Sequence, residues 1–302
     1  MEEKYNLDYL DKLEAESIYI IREAVAEFKN PVMLYSIGKD SSTMLRLAEK
    51  AFYPKKIPFS LLHIDTGYKF KEMIDFRDYY IKKIGANLII HKNEEPEARA
   101  LNPEEAHTDK YIYYKKTKPL LEALKKYGFD AAFGGARREE EKSRAKERIF
   151  SLRSEGGVWD PKNQRPEPWT LYNGRLEEGQ TARVFPLSNW TEADIWSYIK
   201  RENIEVVPLY FAKKRKIIKR GNAFLRVDEF VKPKDGEEVV EAMCRYRTLG
   251  CSPSTGAVLS SANNLDDIIA EVLVARKSER ENRMIDYGSE SSMENKKKEG
   301  YF

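Results

Sequence analysis

Leu10, Leu13, Ile18, Ile21, Ala24, Val25 and Phe28 recur at helical spacing with Ser17 on the same face, and Asn30-Pro31 closes the pattern. The first expected element is therefore an amphipathic helix. From Pro31 the rhythm changes. Val32, Met33, Leu34 and Tyr35 form a short unbroken apolar run, as a strand covered on both faces requires. A polar turn, Ser36 to Ser42, leads into a second helical stretch over 43–52. The alternation then repeats, with strands expected over 60–65, 87–91 and 130–133 and helices over 69–84, 119–127 and 138–148. Strand and helix in regular order predict right-handed crossovers and an α/β fold with a doubly wound, mainly parallel sheet.

The stretch 154–181, rich in Gly, Pro, Asn and Trp, breaks this rhythm and reads as a long loop with little local packing support. A strand over 183–187 and a helix opened by Thr191-Glu192-Ala193-Asp194 resume it, the threonine capping and the carboxylates facing the positive end of the helix dipole. Beyond Asn203 the pattern differs: 214–220 and 223–227 flank Gly221-Asn222 as a hairpin would. A helix over 265–276 precedes a polar tail, with 289–300 expected to be flexible. The chain thus divides into a main domain over 1–205 and a C-terminal extension over 206–302.

Composition narrows the classes. Among 302 residues, 53 basic and 50 acidic side chains leave a net charge of +3, and 41% are hydrophobic. That is too apolar for disorder and too nearly neutral for a nucleic-acid coat. The basic run Lys213, Lys214, Arg215, Lys216, Lys219 and Arg220 is expected to be a charged hairpin edge that discourages strand addition, not a nucleic-acid surface. No apolar run approaches the roughly 18 residues of a membrane span, and Met1-Glu2-Glu3-Lys4 does not open like a signal peptide. A soluble, cytoplasmic protein without a membrane partner is expected. Cys244 and Cys251 lack CxxC spacing, and no HExxH accompanies His63, His91 and His107, so disulfide and zinc frameworks have little material. The histidines read as packing groups and Cys251 as a small buried hydrophobe.

The chemistry concentrates where strand meets helix. Ser36-Ile37-Gly38-Lys39-Asp40-Ser41-Ser42 places backbone N–H groups, hydroxyls and an ammonium at a helix N-terminus, an arrangement that attracts phosphate. Gly38 would permit a tight turn or close approach, Lys39 would neutralise phosphate charge, and Asp40 would hold magnesium or shape the loop. The run lacks the GxxxxGK[ST] spacing of a Walker A loop, so the chain is not itself a GTPase. Asp65-Thr66-Gly67, at the end of the next strand, falls where open sheets bind ligands. Gly134-Gly135 ends another strand and opens a charged run to Arg148. On a helix, Arg137, Arg144 and Arg148 would share one face, so Arg137 or Arg138, and then Arg144 or Arg148, are expected to grip an oxyanion. Arg247 is a further anion candidate.

The phosphate loop resembles that of the pyrophosphate-loop adenine-nucleotide alpha hydrolases. The likeness extends over nearly the whole chain: Leu34 to Ser41, Gly134 to Arg148, Trp159 to Pro166, Val184 to Thr191, Arg247 to Cys251 and Gly300-Tyr301-Phe302 are similar to the small catalytic subunits of bacterial sulfate adenylyltransferase. Ser252 and Ser254 depart from it, standing where the pattern has an aromatic and a leucine, and 92–118 matches only around His107-Thr108-Asp109. The resemblance implies that ATP and sulfate form adenylyl sulfate and pyrophosphate, with magnesium, beside a large GTPase subunit. It places Ser36, Gly38, Lys39, Asp40, Ser41, Ser42, Asp65, Thr66, Gly67 and Gly135 on the nucleotide. Lys39, Arg137 and Arg138 would be catalytic, Arg144, Arg148 and Arg247 would meet the substrate anion, and 154–181 with the tail would face the partner. The alternatives are an adenylyl or phosphoadenylyl sulfate reductase, whose Glu-Cys-Gly-x-His signature is missing, and a non-enzymatic nucleotide-binding regulator.

Overall fold

The computed structural model describes residues 7–275, so the tail and the terminal Gly300-Tyr301-Phe302 lie outside it. Helix α1 (Tyr9–Glu27) opens on a capping box between Asp8 and Asp11 and buries Leu13, Ile20, Ile21 and Ala24. Six strands, β1 (Pro31–Leu34), β2 (Ser60–Ile64), β3 (Leu88–His91), β4 (Ala131–Phe133), β5 (Phe150–Arg153) and β6 (Thr181–Val184), form one sheet in the order β3-β2-β1-β4-β6-β5. All pairings are parallel except that of β5 with β6. This is the expected α/β class.

Successive strand residues fall into different cores, as the two-residue period of a strand demands. Met33, Leu61 and Phe133 join the larger cluster with α1, helix α2 (Lys39–Phe52) and helix Glu192–Arg201. Val32, Leu62 and Ala132 join the smaller one with Leu120, Ala123 and Leu124 of helix Lys118–Lys126. Helix α3 (Lys71–Ile84) adds Met73 and Tyr80 to the larger face. The chain steps from β1 outward through β2 to β3, then returns to place β4 on the other side of β1. Such a reversal opens a crevice beyond the strand C-termini.

Three expectations need correction. No helix runs over 138–148; only Lys142–Ala145 is helical. The carboxylates hold the backbone otherwise: Glu140 accepts from the Arg137 N–H at 3.0 Å, a local bond that competes with helix, and the extended Glu141 accepts from the Ser143 N–H at 2.9 Å, capping a helix that starts only at Lys142. The shared arginine face therefore does not form. The loop 154–181 is anchored rather than under-supported. Glu167 accepts from the N–H groups of Ile149 and Phe150, Gln164 bonds Leu152, and Tyr172 stacks on Phe150 at 4.9 Å, so the loop completes the edge strand β5. Gly174 lies so close to α1 that a Cβ there would stand 2.6 Å from the Glu27 Cβ.

The third correction concerns the extension. The hairpin forms, but β7 (Lys213–Arg220), β8 (Ala223–Arg226), β9 (Val240–Arg245) and β10 (Val258–Leu259) build an antiparallel sheet ordered β10-β9-β7-β8. The basic strand β7 is interior, so the exposed Lys213, Lys214, Lys216 and Lys219 do not form an edge; Lys213 and Lys219 fall on one face of the sheet and Lys214 and Lys216 on the other. The change of topology at 205/206 is not a break in the core: Val207, Leu209, Tyr210, Ile217 and Tyr246 share the larger cluster.

Candidate active site

A cavity of about 290 Å³ sits over the reversal point, walled by 34–36 at the end of β1, Ile64 and Thr66 at the end of β2, and 134–136 after β4. Its floor is the phosphate loop. Ile37, fully buried, takes a left-handed φ of 70°, a strained conformation for a β-branched residue that folds tolerate mainly at functional sites. Gly38 is extended, at φ −77°, and caps α2 with no side-chain bond. It therefore serves close approach rather than the left-handed turn: a Cβ there would meet the Tyr210 hydroxyl at 3.4 Å. That hydroxyl accepts from the Lys39 N–H at 2.7 Å, so the C-terminal extension supports the loop. Ser41 donates to the Gly38 carbonyl at 3.0 Å and lies 3.2 Å from the Ser36 hydroxyl.

Gly135 brings the β4 end onto this loop; a Cβ there would stand 3.1 Å from the Asp40 Cβ and 3.5 Å from the Ser41 nitrogen. A chain of alternating charges then crosses the site. The Lys39 ammonium is 3.1 Å from Asp40, whose other oxygen accepts from Arg137 Nε at 2.9 Å. Arg137, only 1% exposed, also holds Glu139 at 2.9 Å and lies 3.6 Å from Glu140. Glu139 accepts from the Glu192 N–H, and the Glu192 carboxylate takes Arg247 at 2.5 Å.

The arginine candidates thus separate. Arg144 lines the cavity and lies 3.8 Å from Glu147, which also pairs with Arg153. Arg138 turns instead to Asn189, and Arg148 is exposed; neither lines the cavity. Arg247 pairs with Glu192 and does not line the cavity, although its neighbours Leu249, Gly250 and Cys251 do. Of the second motif, Thr66 lines the cavity, whereas Asp65 accepts from the Gly67 N–H at 2.8 Å and shapes the turn, with Gly67 at φ 82°. Ser42 is buried in the first turn of α2.

Against this geometry we set the relatives. The chain is 59% identical over 98% of its length to sulfate adenylyltransferase subunit 2 of Aliivibrio fischeri (strain MJ11), again covering 98% of that protein. It is 58% identical, over the full length of both, to the protein of that name in Bacteroides fragilis (strain YCH46). The chain belongs to the sulfate adenylyltransferase subunit 2 family. Residues 30–257 also match the phosphoadenosine phosphosulfate reductase domain. A solved phosphoadenylyl-sulfate reductase from Candida auris is similar at 20% identity over 68% of this chain and 91% of that one, with a TM-score of 0.47.

Magnesium, which this family implies, was expected on Asp40. Both Asp40 oxygens are engaged by cations, and among the described residues no cluster of three His, Cys, Asp or Glu side chains could hold a metal. The donor set does not fit a magnesium cage built by the protein.

Other cavity residues escaped the sequence reading. His63 lines the wall; its Nδ1 lies 2.8 Å from the Tyr35 carbonyl and must carry the proton, leaving Nε2 as an acceptor without a partner among the described residues. Burial, then the charge of Lys69, pushes its pKa down to about 4. Cys251 is buried as expected, yet it also lines the cavity, 3.1 Å from the Thr66 hydroxyl and 3.4 Å from that of Tyr111. Burial alone would raise its pKa; Lys116, Lys69 and these hydroxyls outweigh it and hold the thiol below its ordinary value. Ser252 bonds Asp228, and Ser254, also on the cavity wall, bonds the Cys251 carbonyl, so both departures from the family pattern are buried and satisfied.

Proposed function

We propose that this cavity binds ATP with its β and γ phosphates on the Ser36–Ser42 loop and catalyses its reaction with sulfate to adenylyl sulfate and pyrophosphate. The observation that carries this reading is the meeting of β1, β2 and β4 ends on a phosphate loop at the sheet's reversal point, in a chain of this family. A sulfate oxygen attacks the α phosphorus in line. A new P–O bond forms, the bond to the β-phosphate oxygen breaks, and pyrophosphate leaves with that electron pair. Sulfate is already a dianion, so no proton need be removed and no covalent enzyme intermediate is required.

Catalysis is then positioning and charge neutralisation. Lys39 and the α2 N-terminus meet the departing pyrophosphate. Arg137, engaged by Asp40, Glu139 and Glu140, acts as a positioning residue that holds Asp40 and the loop in place. Thr66 faces the nucleotide and Arg144 the reacting anions. Magnesium is not assigned to Asp40.

The relatives' name, subunit 2, implies a heteromeric complex. The product anhydride lies uphill, which favours a partner that hydrolyses GTP and a cytoplasmic setting where both nucleotides are available. Sulfate-dependent ATP–pyrophosphate exchange tests the reading: it should appear with the co-expressed partner and respond to GTP. Exchange that ignores sulfate would contradict it. The match of residues 30–257 to the reductase domain supports the shared domain, but the reductase reaction is disfavoured because no Glu-Cys-Gly-x-His occurs in the sequence.

A further inference from the structure

The reaction brings two anions into one cavity, so a cation must stand where sulfate enters. Lys69, Lys116 and Arg144 are the cations that line the cavity; Lys39, matched with Asp40, and Arg137, matched with three acids, do not, Arg144 is matched with Glu147, and Lys69 is engaged by neighbours of its own. Lys116 differs. It lines the cavity, and no carboxylate pairs with it among the described residues.

Its backbone is unusual as well. Tyr113–Thr117 form a π-helical turn between helical segments, a rare geometry that concentrates at functional sites. The turn lays the Lys115 ammonium over the Tyr68 ring, 5.2 Å from its centre, while its neighbour Lys116 faces the cavity. Lys116 is close enough to Cys251 to draw that thiol down. Thr66 supplies a hydroxyl to the same wall, while those of Ser254 and Thr255 donate to the Cys251 carbonyl and hold the wall in place. An ammonium beside a hydroxyl matches a small tetrahedral dianion.

We propose that Lys116 is the substrate-anion residue, holding sulfate on the wall built from Thr66, Lys69, Lys116, Cys251, Ser254 and Thr255 rather than on the phosphate-loop wall. This rests on the ATP and sulfate reading above and goes beyond it, since that reading drew its anion candidates from arginines.

The test compares the intact complex carrying the wild-type chain, Lys116→Met or Lys116→Arg. Three quantities are measured: the KM for sulfate and the KM for ATP in adenylyl sulfate formation, and the affinity for a non-hydrolysable ATP analogue. Thermal melts check folding. Lys116→Met should raise the sulfate KM about tenfold or more, the worth of a lost charge-assisted contact. The analogue's affinity should stay unchanged, and Lys116→Arg should recover much of the loss. An equal loss for analogue and sulfate would overturn the inference by placing Lys116 on the nucleotide. No change in either would overturn it by making Lys116 a solvated lysine. A wild-type complex that forms no adenylyl sulfate would instead bring down the function itself, and this inference with it.

Discussion

Arg137→Ala separates a positioning role from an anion-binding role. The guanidinium is 1% exposed and holds Asp40 and Glu139 at 2.9 Å, with Glu140 at 3.6 Å. Removing one member of a buried ion pair costs about 3–5 kcal/mol, because the remaining charge is left without compensation. Glu139 is 52% exposed and can rehydrate, whereas Asp40 and Glu140 are 23% and 11% exposed. The lower end, about 3 kcal/mol, is therefore expected. At roughly 2–4 °C per kcal/mol for a chain of this size class, the melting temperature should fall by roughly 6–12 °C. Asp40 would lose one of its two holds on the loop, so the ATP KM should rise and kcat fall together. Calorimetry and steady-state kinetics on the same preparation provide the check. An unchanged melting temperature with a rise in the sulfate KM alone would refute the positioning argument and return Arg137 to the anion.

Lys39→Ala should weaken ATP binding by about 1.5–3 kcal/mol with the fold retained, because Arg137 still holds Asp40; isothermal titration with ATP reads this out. His63 makes stability pH-dependent. Its folded pKa, about 4, lies below the ordinary value near 6.5, so the unfolded chain binds the extra proton between them. Stability is then complete above about 6.5 and falls, by on the order of 3 kcal/mol, as pH drops towards 4. Urea titrations of wild type and His63→Gln across that range should show the variant lacking this component. Gly174→Ala should loosen the loop against α1, since its Cβ would stand 2.6 Å from that of Glu27; an overpacking loss of about 1–3 kcal/mol is expected in denaturant titrations.

Much of the fold was legible because its signals are local. The apolar run Val32 to Tyr35, the turn Ser36 to Ser42 and the cap at Thr191 each state their structure within a few residues, and the observed β1, α2 and helix Glu192–Arg201 follow them. Strand β9 was not legible, since only Cys244 and Arg245 of its six residues are buried and no apolar alternation marks it. The helix expected over 138–148 shrank to Lys142–Ala145 because Glu140 bonds the Arg137 N–H, Glu141 is an extended cap, and Arg137 is drawn to Asp40, a partner 97 positions away. The same distance hid half the cavity. His63 depends on a carbonyl of the neighbouring strand, and Lys116 lies in a stretch rich in Lys and Tyr whose π turn has no sequence signature. The phosphate loop could be read in one stretch, whereas the wall facing sulfate is assembled from three.

The most direct measurement follows radiolabelled sulfate through the complex of this chain with its partner, ATP and GTP. Wild type should yield labelled adenylyl sulfate and an equal amount of pyrophosphate. A complex carrying Lys39→Ala should lose that product while the partner still hydrolyses GTP. Adenylyl sulfate formed at an undiminished rate by the Lys39→Ala complex would contradict the claim that the reaction takes place in this chain's cavity.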